Sequence, residues 1–120
     1  MAHVSLLELI SAGFWAMLPA RDILMMTEAL IQAVWERGEV VLGHDPGRWR
    51  KDRCGAWMSR DSYENRESDF GWVADRINVT EPDSLTNLRP LQWRNGVDKR
   101  DGRLACYITA VGTENIDANK

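Results

Sequence analysis

Residues 71–101, with the sequence GWVADRINVTEPDSLTNLRPLQWRNGVDKRD, decide the fold of this chain. Apolar and β-branched residues predict strands at Phe70–Ala74, Ile77–Thr80 and Arg89–Trp93. Alternation predicts a further strand downstream, at Leu104–Ala110. Short motifs lie in the stretch at defined spacings: Gly71-Trp72-x-x-Asp75, then Asn87-Leu88-x-Pro90-Leu91-x-Trp93, then Asn95 followed by Lys99 and Asp101. The order and spacing of these motifs carry more information than any one of them.

In order and spacing the motifs resemble the ββα metal finger of HNH endonucleases of the small prokaryotic and phage type. Similar lead-in segments lie upstream, so the resemblance covers roughly residues 27–107; they are AVWERG at 33–38, GHDPGRW at 43–49, RKDRCGAW at 50–57 and YENRESDFG at 63–71. The resemblance implies that Arg94–Arg100 is the helix that closes the finger. The expected fold class is therefore α+β, with N-terminal helices, a Trp-rich loop region and a ββα finger.

The residues that would carry the nuclease chemistry are replaced. In the family a His after the motif Asp takes a proton from the attacking water, and that Asp helps a later Asn or His to hold a divalent metal. Here the His position is Arg76, which stays protonated, and the later ligand position is Gly96, which has no side chain. The resemblance thus implies a retained fold and lost hydrolysis. Asp75, Arg76 and Asn87 are vestigial, no catalytic residue is assigned, and Asp75 alone remains a candidate metal ligand.

The N-terminal segment contains two predicted helices. A capping box at Ser5–Glu8 predicts a helix that ends near Leu18, before Pro19. The second helix begins near Arg21 or Asp22 and ends at Gly38. Residues 39–69 are rich in turn signals and are predicted to be a long loop that tryptophans pack. The predicted organisation is a helical segment at 1–38, the HNH-like unit at 39–112 and a frayed tail at 113–120, within one compact domain.

Charge is distributed unevenly along the chain. The formal net charge is −3, which opposes general DNA binding. Residues 47–60 and 84–103 are basic, whereas residues 61–83 contain seven acidic and two basic side chains. If the basic segments share a face, they would grip a phosphate backbone or an acidic protein surface. The predicted binding residues are Arg48, Arg50, Lys51, Arg53, Arg76, Lys99, Arg100 and Arg103.

The two cysteines, Cys54 and Cys106, belong to no Cys-x-x-Cys pair and cannot build a zinc knuckle. Both are predicted to be reduced and buried, with a disulfide as the alternative. The N-terminus lacks a basic region, and its apolar run is too short and interrupted to span a bilayer. The expected location is the cytoplasm, with no contact with a membrane.

The leading hypothesis is a catalytically inactive HNH-like binding protein of phage or mobile-element origin. Its partner would be a protein complex that handles nucleic acid, or DNA itself; a CRISPR-type defence inhibitor is one form this function could take. No cofactor is expected.

Two alternatives remain open. One is an active metal-dependent HNH DNA endonuclease, in which His44 or a metal-bound water acts as the base; only this alternative needs a divalent metal such as Mg²⁺. The other is a homodimer formed through the apolar N-terminal helix, with Phe14, Trp15 and Leu18 at the interface.

Overall fold

Helix α1 is the first element shown by the computed structural model, which describes residues 27–98 and 100–119. It spans Glu28–Trp35. Thr27 caps its start, because the threonine hydroxyl accepts a hydrogen bond from the Leu30 amide at 3.1 Å. At its end, Arg50 donates to the carbonyl oxygens of Glu36 and Gly38. The guanidinium therefore satisfies carbonyls that the last helical turn leaves without partners.

The strands of the described residues form four two-stranded antiparallel hairpins. They are β1 (Trp49–Lys51) with β2 (Trp57–Ser59), β3 (Trp72–Arg76) with β4 (Leu88–Gln92), β5 (Gly96–Val97) with β6 (Leu104–Ala105), and β7 (Ile108–Val111) with β8 (Glu114–Asp117). Single 3₁₀ turns lie at Arg60–Ser62 and Leu85–Asn87. An isolated two-stranded hairpin is marginally stable in water, so contacts between hairpins must stabilise this fold.

Tryptophan rings form the centre of the core. Trp35 from α1 and Trp72 from β3 are fully buried, and their ring centroids lie 5.2 Å apart. Each indole N–H has a carbonyl partner: Trp35 donates to Pro46 at 2.9 Å and Trp72 to Arg60 at 3.4 Å. The other buried members of this cluster are Ile31, Val34, Met58 and Leu88. The core thus joins α1 to the hairpins β1–β2 and β3–β4.

Buried polar side chains connect hairpins that share no ladder. The Asp52 carboxylate accepts four hydrogen bonds, including those from the Ala56 amide, the Gln92 amide and the Asn95 side chain. Asn95 in turn donates to the Ile108 carbonyl and accepts from the Ile108 amide. Burial raises the pKa of Asp52 although these donors lower it. Every buried polar side-chain atom in the described residues has a partner, so this network adds no unsatisfied group.

A disulfide joins Cys54 to Cys106, whose Cα atoms are 5.4 Å apart. It connects the turn between β1 and β2 to the segment between β6 and β7. The prediction that both cysteines are reduced is therefore wrong. Their pairing depends on how distant hairpins meet, which the sequence separation of 52 residues does not reveal.

The predicted α+β fold with a ββα finger is also wrong for the described residues. Its β3–β4 hairpin is present, but the predicted closing helix Arg94–Arg100 is replaced by the β5–β6 hairpin. Asn95, Gly96, Val97 and Asp98 are all poor helix formers. The Asn95 side chain accepts backbone hydrogen bonds from the distant Tyr107 and Ile108, and the Asp98 amide donates to the Arg103 carbonyl at 2.7 Å, closing a hairpin turn.

Four further elements differ from prediction. The strand predicted at Leu104–Ala110 is divided into β6 and β7, which belong to different hairpins. Residues 77–80 form turns instead of a strand, because the Asn78 side chain accepts from the Thr80 amide and hydroxyl. The predicted loop 39–69 contains the β1–β2 hairpin. The predicted frayed tail contains β8, which Asn115 anchors by accepting from the Trp57 amide and donating to its carbonyl.

The N-terminal predictions are only partly addressed. The helix predicted from Ser5 to Leu18 lies outside the described residues, as does the start of the second helix. The described end of that second helix is Trp35, three residues before the predicted Gly38. No helix in the part of the chain that the structure describes is long and apolar enough to cross a bilayer.

Candidate functional site

The β3–β4 hairpin positions the three residues that resemble a nuclease site. Asp75 lies opposite Arg89 in the antiparallel ladder, and Arg76 lies opposite Leu88. Asn87 ends the 3₁₀ turn that leads into β4. The hairpin thus brings Asp75, Arg76 and Asn87 to one end of the β3–β4 pair.

Asp75 forms an ion pair within the hairpin. The Arg89 Nε lies 3.3 Å from the Asp75 Oδ2, and both side chains are about one-fifth exposed, at 18% for Arg89 and 22% for Asp75. Burial raises the pKa of the Asp75 carboxyl, and the Arg89 charge opposes this rise. Among the described residues, no group of three or more His, Cys, Asp and Glu side chains could hold a metal ion. A divalent cation at Asp75 would therefore have to displace Arg89 and find its other ligands elsewhere.

Arg76 also forms hydrogen bonds within the hairpin. Its Nε donates to Asp83 Oδ1 at 2.6 Å, and its Nη1 donates to the Val79 carbonyl at 3.3 Å. The Arg76 cation therefore closes the loop between β3 and β4. A permanently charged guanidinium in this position cannot accept a proton from water.

The Asn87 side chain stabilises the same loop through hydrogen bonds to its backbone. Its amide nitrogen donates to the carbonyl oxygens of Asn78, Glu81 and Pro82, and its amide oxygen accepts from the Asn78 amide at 2.9 Å. The side chain is buried. These contacts make Asn87 a loop-capping residue, and its polar atoms are already used.

The remaining positions considered for nuclease chemistry lie in other parts of the fold. Gly96 is in β5, in a hairpin in place of the metal-binding helix. The His44 ring packs against Trp57, with centroids 4.6 Å apart, in the aromatic cluster that also contains Trp49. The region that resembles a nuclease site thus contains two ion pairs, Asp75–Arg89 and Arg76–Asp83, and a loop that Asn87 caps.

A cleft of about 570 Å³ lies beside the Asp75–Arg89 pair. Four cations line it: Arg37 after α1, Lys51 in β1, Arg53 in the following turn and Arg89 in β4. The other lining residues are Gly38, Glu39, Asp52, Ile77 and Pro90. We call this feature the basic cleft.

The predicted cations are only partly brought together. Lys51 and Arg53 line the basic cleft, whereas Arg48, Arg50, Arg76, Arg100 and Arg103 do not. Arg50 caps α1, and Arg76 pairs with Asp83. Arg100 pairs with Asp98 at 2.9 Å, which raises the pKa of Arg100 and lowers that of Asp98. Arg48 and Arg103 are exposed, and Lys99 lies outside the described residues.

Arg37 and Arg89 line the basic cleft but are not among the predicted binding residues. Arg37 lies near the end of a predicted helix, and Arg89 begins a predicted strand between the apolar Leu88 and Pro90. The hairpin register could have revealed Arg89, because pairing the two strands places it opposite Asp75. Arg37 had no such signal, since its approach to β1 depends on tertiary packing.

Comparison with protein-family models, curated proteins and solved structures gives no match for this chain.

Proposed function

We propose that this chain is a non-hydrolytic binding protein, derived from an HNH-like nuclease, that binds a protein of a nucleic-acid-handling complex. The observation that supports this proposal is the double ion pairing of Asp75 with Arg89 and of Arg76 with Asp83. The carboxylate that resembles the family's metal ligand is neutralised inside the hairpin. The residue at the base position is a cation with its own carboxylate partner.

A protein partner agrees better with the charge distribution than duplex DNA does. The net charge is −3, and the acidic side chains Asp61, Glu64, Glu67 and Asp69 are exposed. Duplex DNA carries about one negative charge per 1.7 Å of its axis, so a long duplex would meet repulsion outside any local basic site. A protein presents its charges locally and can match a basic cleft without extending over acidic surface. Inhibition of a CRISPR-type defence complex is one function of this kind.

The cytoplasmic location stays a prediction. The Cys54–Cys106 disulfide favours an oxidising environment, since disulfides are rare where thiol reductants are abundant. The homodimer alternative also stays a prediction, because Phe14, Trp15 and Leu18 lie outside the described residues.

A plasmid-nicking assay tests the proposal. Supercoiled DNA is incubated with the purified protein and Mg²⁺, Mn²⁺, Ni²⁺ or Zn²⁺, alongside Asp75→Ala and the exposed control variant Asp61→Ala. We expect no nicking by any of the three proteins, because Arg76 cannot act as a base and the described residues contain no group of three or more metal-ligating side chains. Nicking that persists in Asp61→Ala and disappears in Asp75→Ala would refute the proposal and establish the endonuclease alternative.

A further inference from the structure

We propose that the basic cleft is the binding site for a short acidic peptide segment of the partner, one that carries an apolar side chain among its carboxylates. This inference rests on the proposed function and identifies the surface that performs it. Four cations line the cleft, and they come from three separated parts of the chain: Arg37, the neighbouring Lys51 and Arg53, and Arg89. The fold, more than local sequence, has therefore concentrated positive charge there.

The cations of the cleft are available to a ligand to different degrees. Within residues 27–98 and 100–119, no carboxylate forms an ion pair with Arg37, Lys51 or Arg53. Arg37 and Arg53 are exposed, and Lys51 is half-buried with its ammonium 4.9 Å from the centroid of the Trp57 ring. Arg89 is shared with Asp75 through one 3.3 Å contact. A bound carboxylate could thus interact with Arg37 and Arg53 before it competes with the Trp57 ring for Lys51 and with Asp75 for Arg89.

The anions of the cleft offset this charge incompletely. Asp52 is 4% exposed, and its carboxylate is enclosed by four hydrogen-bond donors from the protein. Glu39 is exposed, and its backbone pairs with Lys51. The four cations therefore outnumber the two anions of the lining, and one of those anions, Asp52, already accepts its hydrogen bonds from the protein.

The cleft also has an apolar part, formed by Ile77 and Pro90. Ile77 is 42% exposed and so offers apolar surface to a ligand in the cleft. A bare inorganic anion would leave this surface in water, whereas a peptide could place an aliphatic side chain on it. The volume of about 570 Å³ lies in the range of ligand-binding pockets. An acidic segment with an apolar residue matches both parts of the lining.

Fluorescence anisotropy with a labelled peptide of alternating Glu and Leu tests the proposal, and a Lys–Leu peptide serves as the charge-reversed probe. Arg53→Glu places a carboxylate in the cleft, and Arg103→Glu makes the same change of charge at an exposed position outside it. We expect Arg53→Glu to weaken binding of the Glu–Leu peptide by about tenfold or more, since a close ion pair becomes a repulsion. Arg103→Glu should change the affinity by less than about twofold, because screening weakens distant surface charges.

A second cleft variant, Arg37→Glu, repeats the test from another element, and tryptophan fluorescence confirms that each variant is folded. Equal losses in the cleft and control variants would overturn the proposal, because binding would then follow net charge alone. It would also fail if the wild-type protein does not bind the Glu–Leu peptide, or if a short DNA duplex binds the cleft more tightly at about 150 mM salt. These outcomes leave the nicking assay unaffected, so failure of the cleft proposal is distinguishable from failure of the non-hydrolytic assignment.

Discussion

At the scale of single residues, the motif positions have structural roles in this fold. Gly71 is buried, and a Cβ added to it would collide with the backbone carbonyl of Asn65. The Asn87 side chain donates hydrogen bonds to backbone carbonyls of the loop between β3 and β4. Asn95 completes the hydrogen bonding of Asp52. These residues can therefore be retained for packing and loop closure without any catalytic role.

Gly71 and Gly96 form a matched pair for testing this view. Gly71→Ala should lower the free energy of unfolding by about 2 kcal/mol or more, because backbone atoms of Asn65 must move to accommodate the methyl group. Gly96→Ala should change it by less than about 1 kcal/mol, since no atom lies within 4 Å of the added Cβ. Urea unfolding followed by tryptophan fluorescence measures both. A Gly71→Ala variant as stable as Gly96→Ala would show that the close approach to Asn65 is absent in solution.

At the scale of elements, local signals located the β3–β4 hairpin to within about two residues at its ends. Trp72 and Val73 begin one strand, and Leu88 and Leu91 form the apolar part of the other, so the pattern is strong. The same kind of reasoning failed at Asn95–Arg100. There a family resemblance predicted a helix, whereas pairing of Val97 with Leu104 and the distant contacts of Asn95 produced a hairpin. Local composition could show that these residues are poor helix formers but not where their partners lie.

The candidate site, too, could be predicted only where its residues belong to one local motif. The sequence identified Asp75, Arg76 and Asn87, which the hairpin gathers at one end, because these residues belong to one local motif. It did not identify the basic cleft, whose residues come from α1, β1, a turn and β4. Charged residues at separate positions become a site only through tertiary packing, which a linear charge pattern does not encode.

The disulfide gives a prediction at the same scale. It closes a segment of 52 residues and links the β1–β2 turn to the C-terminal hairpins. In the chain-entropy account, opening such a loop lowers the free energy of unfolding by about 4 kcal/mol. We expect the double variant Cys54→Ser, Cys106→Ser to show this loss in urea unfolding. Reductant should produce a similar loss in the wild-type protein and no further loss in the double variant; a wild-type protein indifferent to reductant would contradict the disulfide.

At the scale of the whole molecule, the net charge and the charge of the basic cleft have opposite signs. The chain carries a net charge of −3, yet the fold gathers four cations at one cleft. Beside that cleft each charged residue that resembles nuclease machinery has an oppositely charged partner, Arg89 for Asp75 and Asp83 for Arg76. A local positive site on an acidic protein suits recognition of an acidic partner, and the internal ion pairs oppose capture of a metal ion.

Isothermal titration of Mn²⁺ into the wild-type protein, Asp75→Ala and Asp61→Ala tests the central claim most directly, namely that the residues resembling a nuclease site do not bind a metal ion. We expect no site tighter than about 1 mM in any of the three proteins, because Asp75 pairs with Arg89 and belongs to no group of three or more His, Cys, Asp or Glu side chains among the described residues. Stoichiometric binding in the micromolar range that Asp61→Ala retains and Asp75→Ala loses would contradict the claim.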